Sequence, residues 1–264
     1  MPPRARRPVG VVLADKPAGP SSFALVAALR RHTRARTGHA GTLDPFATGL
    51  LVLLSGAATK LAPCFVGLDK RYVTDVDLTA TTSTGDPEGE LSERHAAPSR
   101  EELERRLADL RGEVELPIPA ASAVKVGGER AYRLARRGVA VEMPRRRSRV
   151  DALDVIAYTG DTASEESAVG ISSVRLELAV SSGTYVRAIA EALGGHCVTL
   201  RRTAVGPFGI EEAVADPELG RLEPGQMLTA AAALARLPEE ALARVPAGIR
   251  THVLALEADA GATG

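Results

Sequence analysis

At 264 residues the chain is long enough to bury a sizeable core, as one large domain or one domain plus an appendage. Its composition is ordinary for a globular protein, 45% apolar and 25% charged, but only 3% aromatic, so an aromatic in a functional stretch is conspicuous. No apolar run approaches a membrane span. The basic start, Met1 to Pro8, is followed by an apolar segment, Val9 to Ala14, too short for a signal-peptide core, so a cytoplasmic protein without membrane contact is expected.

Val9 to Asp15 reads as a first strand. Lys16-Pro17-Ala18-Gly19-Pro20-Ser21-Ser22 is a turn ending in N-cap residues, and Phe23 to His32 is a helix, apolar on one side, with Arg30, Arg31, Arg34 and Arg36 near its end. The stretch Gly38 to Gly49 then packs three glycines and a proline into twelve residues, a turn-rich loop because Gly permits positive φ and Pro restricts φ to one negative value. Leu50-Leu51-Val52-Leu53-Leu54 follows as a buried strand. A carboxylate, Asp44, therefore sits in a stiff loop beside a core strand, which is how a fold holds a side chain for chemistry. On the residues alone, an Asp-Pro pair among glycines is also an ordinary Asx turn. His39 is equally a loop histidine satisfying backbone groups, and Lys16 a surface lysine at a strand end.

Ala57 to Phe65 is expected as a short helix. Asp69-Lys70-Arg71-Tyr72 opens a strand with Tyr72, Thr74, Val76 and Leu78 on one face; an aromatic so placed is by default a core residue. Asp86 lies in the turn Thr82 to Gly89. Ser99 and Glu102 have capping-box spacing, Leu103, Leu107 and Leu110 give a helical stripe, and Gly112 closes that helix. Arg149 to Tyr158 and Ile171 to Ser181 read as a hairpin around an acidic, exposed loop from Gly160 to Gly170. Ser182 to Arg187 leads into a helix through Leu193, stopped by Gly194-Gly195. Leu200 alone is an ordinary core leucine. After Gly225 come a helix near Thr229 to Arg236, another near Glu239 to Arg244, and an Ala/Gly tail, too little for an independent core.

The zero net charge hides an asymmetry. From Glu211 onward nine Asp/Glu stand against four Arg, a net of −5. Between Lys125 and Arg149 the bias is opposite, with Lys125, Arg130, Arg133 and Arg147 among nine cations facing Glu129 and Glu142. Such clustering suits a polyanion, or is the solvated surface of an Arg-rich protein. Cys64 and Cys197 make no disulfide framework and read as buried thiols. The five histidines show no metal-ligand spacing, and no metal is expected. There is no nucleotide-binding fingerprint.

The string Gly38-His39-Ala40-Gly41-Thr42-Leu43-Asp44-Pro45-Phe46-Ala47-Thr48-Gly49-Leu50-Leu51 resembles the signature of the TruB-type tRNA pseudouridine-55 synthases of the bacterial branch. Further segments are similar to that family: D-K-P-x-G-x-S-S from Asp15, D-K-R-Y from Asp69, S-x-G-T-Y-V-R from Ser181 and L-R-R-T-x-V-G-P-F from Leu200. Ser122 to Tyr132 resembles part of an RNA-gripping insertion spanning Pro117 to Pro144. The chain departs in two places. Ser83 replaces the first Asp of T-D-T-x-D-x-x-G, and upstream of Ser122 the usual Pro and bulky residue are displaced, with Ala121 in the bulky place.

The resemblance implies an α+β pseudouridine synthase fold: a central mixed, mostly antiparallel sheet flanked by helices, with the insertion. It places the catalytic domain at 9–225, with the insertion at 117–147, and a short helical tail at 226–264. Asp44 is then the catalytic carboxylate and Arg187 its partner. Tyr72 stacks on the target base, Tyr185 lines the pocket, Leu200 walls it, and His39, Lys16 and Asp86 are neighbours. Lys125, Arg130, Arg133 and Arg147 hold RNA phosphates. The partner is the T-arm of tRNA, no cofactor is needed, and a monomer is expected. A guide-RNA-dependent relative and a tRNA-folding chaperone are the alternatives. The short tail and bacterial-looking flanks argue against the first, and the intact Asp44, Tyr72 and Arg187 against a chaperone without catalysis.

Overall fold

The computed structural model describes residues 7–122, 124–137, 142–159, 170–215, 219, 221–223 and 225–261. Ala123 and, apart from Gly170, the expected acidic loop at 160–170 lie outside them. The chain forms two compact units, one from the residues up to Lys70 together with those from Arg201 onward, the other from Arg71 to Leu200.

The first unit begins with β1 (Gly10–Lys16), α1 (Ser22–Thr33), β2 (Thr37–His39), β3 (Thr48–Ser55), a 3-10 turn at Gly56–Leu61 and α2 (Ala62–Val66). Ser21 caps α1 by accepting from the Ala24 N–H at 3.3 Å, as its position before the apolar stripe predicts. The single helix expected over Ala57 to Phe65 is instead split, because Pro63 has no N–H to give the preceding turn. The second unit holds β4 (Lys70–Asp77, from Arg71), α3 (Arg100–Asp109), β5 (Gly112–Pro117), the hairpin β6 (Lys125–Val126) and β7 (Glu129–Arg130), α4 (Ala131–Arg136), β8 (Arg145–Thr159), β9 (Ser173–Val180) and α5 (Val186–Ala192). The strand β10 (His196–Val205) passes from one unit into the other. The chain then completes the first with β11 (Phe208–Gly209), β12 (Val214–Ala215), α6 (Ala230–Leu234), α7 (Glu239–Leu242) and α8 (Ala247–Gly261).

In the first unit β1 runs antiparallel to β3 along its whole length and parallel to β12, β2 is antiparallel to β3, and Arg201 and Arg202 of β10 lie parallel to Thr48 and Gly49. Both faces of this sheet are covered, which explains the unbroken apolar run of β3. Val12, Ala14, Leu51 and Leu53 pack on Leu25, Val26 and Leu29 of α1. The opposite set, Val11, Leu13, Leu50, Val52 and Leu54, packs with Phe65, Phe208, Ala230, Ala233, Leu234, Ala241 and Val253. The Ala/Gly tail expected at the end is thus a helix, α8, with Val253 fully buried and Leu254 packed beside it: Ala is the best helix former, and these apolar residues dock it.

In the second unit the sheet order is β10-β4-β9-β8-β5. Tyr72, Thr74 and Val76 of β4 and Leu78 just beyond it are buried, the alternation read from the sequence. Ser99 caps α3 by accepting from Glu102, but the Glu102 carboxylate turns to Arg106. Gly112, at φ 80°, opens β5 where the sequence reading had it only closing the helix. That strand escapes sequence reading because Gly-Glu-Val-Glu-Leu-Pro is an edge strand, with charge and proline where a central strand has apolar residues. Gly127 and Gly128, both at positive φ, make the two-residue turn of the β6–β7 hairpin.

Candidate active site

The loop between β2 and β3 carries Asp44, half-buried. Its backbone is held by three buried side chains from outside it. Lys16, fully buried at the end of β1, donates from Nζ to the carbonyls of Pro17 at 2.7 Å, Pro45 at 3.0 Å and Ala47 at 2.7 Å. Ser22 Oγ exchanges hydrogen bonds with both backbone groups of Leu43, donating to the carbonyl at 2.9 Å and accepting from the N–H at 2.8 Å. Arg202, 1% exposed, donates from Nε to Leu50 O at 2.7 Å, from Nη2 to Gly41 O at 3.1 Å and from Nη1 to Thr42 O at 3.4 Å. The carbonyls of residues 41, 42, 43, 45 and 47 are therefore all engaged, and that of Asp44 accepts from Ala47 at 3.2 Å. The loop is satisfied by polar side chains rather than by a ladder, so its one carboxylate is held on a stiff support.

Gly49 makes the closeness of Arg202 possible: at φ 103°, a Cβ there would stand 2.2 Å from Arg202 O. His39 is half-buried at the end of β2, and burial, together with the Arg202 charge, holds its imidazole below the ordinary histidine range. Its Nδ1 is buried without a hydrogen-bond partner among the described residues. Lys16 is thus not a surface lysine. Ser22 and Arg202 were legible only as an N-cap and a motif letter. An arginine on a strand next to a leucine gives no sign in sequence that it points at backbone.

The second unit holds the remaining candidates. Arg187, in the first turn of α5 and 2% exposed, donates to Thr84 O at 2.6 Å and Ala121 O at 3.0 Å and lies 3.4 Å from Asp86 Oδ2. Asp86 Oδ1 accepts from Thr84 Oγ1 at 2.5 Å and Glu88 N at 3.0 Å, so Asp86 both closes its turn and faces the guanidinium. Glu191, one turn further along α5, joins this group. Burial raises its pKa, Arg187 opposes that, and Asp86 adds to it. Gly85 admits Glu191, since a Cβ there would lie 2.7 Å from Glu191 Oε1. The sequence reading missed Glu191. Tyr72 on β4 and Leu200 on β10 are buried, at 8% and 7% exposure, and Tyr185 is half-buried at the N-cap of α5.

Lys125, Arg130, Arg133 and Arg147 are all exposed. The basic segment is more compensated than its sequence suggests. Arg147 stands opposite Glu115 and Arg149 opposite Glu113 across the β5–β8 ladder, and Arg137 pairs with Glu129 at 2.9 Å. Among the described residues no group of three or more His, Cys, Asp or Glu could hold a metal ion, and no helix is long and apolar enough to cross a membrane.

Residues 30–186 match the family model described as TruB family pseudouridylate synthase (N terminal domain). The tRNA pseudouridine synthase B of Mycobacterium sp. (strain KMS) is 43% identical over 213 residues, covering 77% of this chain and 69% of that protein. The protein of that name from Leifsonia xyli subsp. xyli is 38% identical over 271 residues, covering 96% and 86%. Among solved structures, a Cbf5-Nop10-Gar1 complex matches with a TM-score of 0.57 at 24% identity, covering 78% of this chain and 52% of the matched one. An archaeal box H/ACA sRNP Nop10-Cbf5 complex matches with a TM-score of 0.55 at 22% identity, covering 83% and 55%. The chain thus spans about half the length of those two structures, and at that identity they speak for the fold, an α+β pseudouridine synthase fold.

Proposed function

The chain belongs to the TruB family of pseudouridylate synthases, and from this we propose that it converts uridine 55 in the T-loop of tRNA to pseudouridine. The observation that carries this reading is the Asp44 loop, whose carbonyls occupy the donors of Lys16, Ser22 and Arg202. A fold that commits three buried polar side chains to one loop is holding something in place, and the loop's ionisable side chain is Asp44.

The reaction breaks the bond from ribose C1′ to N1 of the base and forms one from C1′ to C5. The proton of C5 is released and N1 gains one, so no redox equivalent, energy source or cofactor is consumed. Asp44 is the group that acts at the sugar, as glycosidases set a carboxylate beside an anomeric carbon. The uridine must first leave its stack, which costs a few kcal/mol. Tyr72 offsets part of this by stacking on the base, with Tyr185 and Leu200 completing the pocket. Arg187 supplies the positive charge that keeps a reacting carboxylate ionised, and Asp86 fixes its guanidinium. His39, held neutral, contributes a hydrogen-bonding ring rather than a charge. Lys125, Arg130 and Arg133 contact phosphates, and Arg147 does so more weakly because Glu115 stands opposite.

The test is site mapping. An unmodified tRNA transcript incubated with the protein alone, then treated with a carbodiimide and reverse-transcribed, should show one new stop, reporting position 55. No stop, or stops only when a guide RNA is added, would refute the reading.

A further inference from the structure

The arginines at the end of α1 have no place in the site above. Arg30, Arg31, Arg34 and Arg36 are all exposed, and none forms an ion pair among the described residues. They differ in this from Arg137, Arg149 and Arg175, whose partners are Glu129, Asp151 and Asp75. The cause lies in the sequence: from Lys16 to Leu43 there is no Asp or Glu, so α1 has no carboxylate of its own to neutralise them.

A helix C-terminus attracts cations, and Arg30 and Arg31 lie in the last turn of α1. That accounts for one or two positive side chains, not four. Arg34 is already past the helix, in the left-handed conformation at φ 52°, and Arg36 precedes β2. The position of the cluster also matters. Ser22, the first residue of α1, is bonded to Leu43 beside Asp44. At 1.5 Å per residue, α1 carries the chain from that contact to Arg34 over about 18 Å. A ribose-phosphate backbone leaving a nucleotide at Asp44 covers that distance within a few residues of stem.

We propose that Arg30, Arg31, Arg34 and Arg36 form a second RNA-contacting surface, which binds phosphates of the stem adjoining the loop that presents its uridine to Asp44. This rests on the function proposed above and adds to it a surface in the same unit as Asp44. The chain has a formal net charge of zero, so its attraction for RNA must come from such local, uncompensated groups rather than from the molecule's overall field.

The experiment is a salt titration of binding. An unmodified T-arm stem–loop RNA, fluorescently tagged, is bound to the wild-type chain, to a variant with all four arginines changed to Gln, and to one with all four changed to Lys. The Gln variant should bind at least tenfold more weakly at about 100 mM salt. The slope of log K against log[salt] should fall by about 3, as expected for four lost phosphate contacts. The Lys variant should keep most of the slope, and single-turnover rates at saturating RNA should be unchanged in both. If the four-Gln variant does not fold, Arg31→Gln and Arg34→Gln singly should each remove about one unit of slope. A lower melting temperature with an unaltered slope would show that the arginines serve only the helix end, and would overturn the proposal. Wild-type protein that binds the T-arm no better than an unrelated hairpin would instead overturn the function on which it rests.

Discussion

Replacing Arg202 by methionine keeps most of the side-chain length and removes every hydrogen bond it gives to Leu50, Gly41 and Thr42. Buried carbonyls left without donors cost about 1–3 kcal/mol each, so the loop must shift to recover them. The expected outcome is a kcat at least tenfold lower with KM nearly unchanged, together with a His39 pKa that rises toward its ordinary value. NMR titration of the His39 ring reads the second effect, and an unmoved resonance would show that Arg202 does not act on the imidazole. The same ring has a sign in stability. Its folded pKa is lowered, so between that value and about 6.5 the unfolded chain holds the extra proton. Its contribution is complete above that range and is lost as pH falls through it. The urea midpoint should therefore fall on acidification below about pH 6.5 in the wild type, and less steeply in His39→Gln. Asp44 stood out in the sequence through the family-like string around it, since glycines and a proline alone also mark an ordinary Asx turn. The cage did not, since Lys16, Ser22 and Arg202 are distant in sequence and bond to backbone, which carries no residue identity.

Among the elements, α8 changes what a truncation should do. Glu257 on α8 accepts from the N–H groups of Ala230 and Ala231, the open first turn of α6. Glu257→Ala should cost about 1 kcal/mol, as loss of a cap does, and lower the melting temperature by about 2–4 °C in a chain of this size. Read as an Ala/Gly tail, the end of the chain is dispensable. With a helix there, cutting after Leu254 removes Glu257 and should lower the melting temperature, leaving turnover of the folded fraction intact. No change in melting temperature would mean α8 contributes nothing beyond Leu254. The strands with alternating residues, β4 above all, were plain in the sequence. β5 was not, because its alternation is only Val114 and Leu116 between glutamates before Pro117 ends the run, and α8 was not, because its small Ala and Gly residues leave little apolar periodicity to read.

For the whole molecule, the buried Asp86–Arg187 pair ties folding to the proposed chemistry. Arg187→Ala leaves a buried carboxylate uncompensated, and breaking such a pair costs about 3–5 kcal/mol. It should therefore lower stability measurably, whereas Arg187→Lys should keep most of the stability and still lose most of the rate. Equal rates in Arg187→Lys and wild type would remove the arginine from the mechanism. The fold class was legible through the resemblance of the motifs to the TruB family; strand alternation, caps and glycines placed single elements but not their assembly. The grouping into units was not. Val12, Leu51 and Leu53 meet α1, a neighbour in sequence, on one face of the first sheet. Val11, Leu13 and Val52 meet Ala230 and Val253 on the other, and no short-range pattern reports a contact across most of the chain.

If Asp44, held by its cage, carries out the isomerisation, then tritium release from C5-labelled uridine in an unmodified tRNA must depend on it. Wild-type protein and Asp44→Asn are compared at equal, saturating occupancy, with nothing else added. The expected result is release by the wild type at the stoichiometry of one uridine per tRNA, and none above background from Asp44→Asn, although that variant binds the tRNA as tightly. Release by Asp44→Asn at a rate near that of the wild type would contradict the assignment of Asp44 to the chemistry.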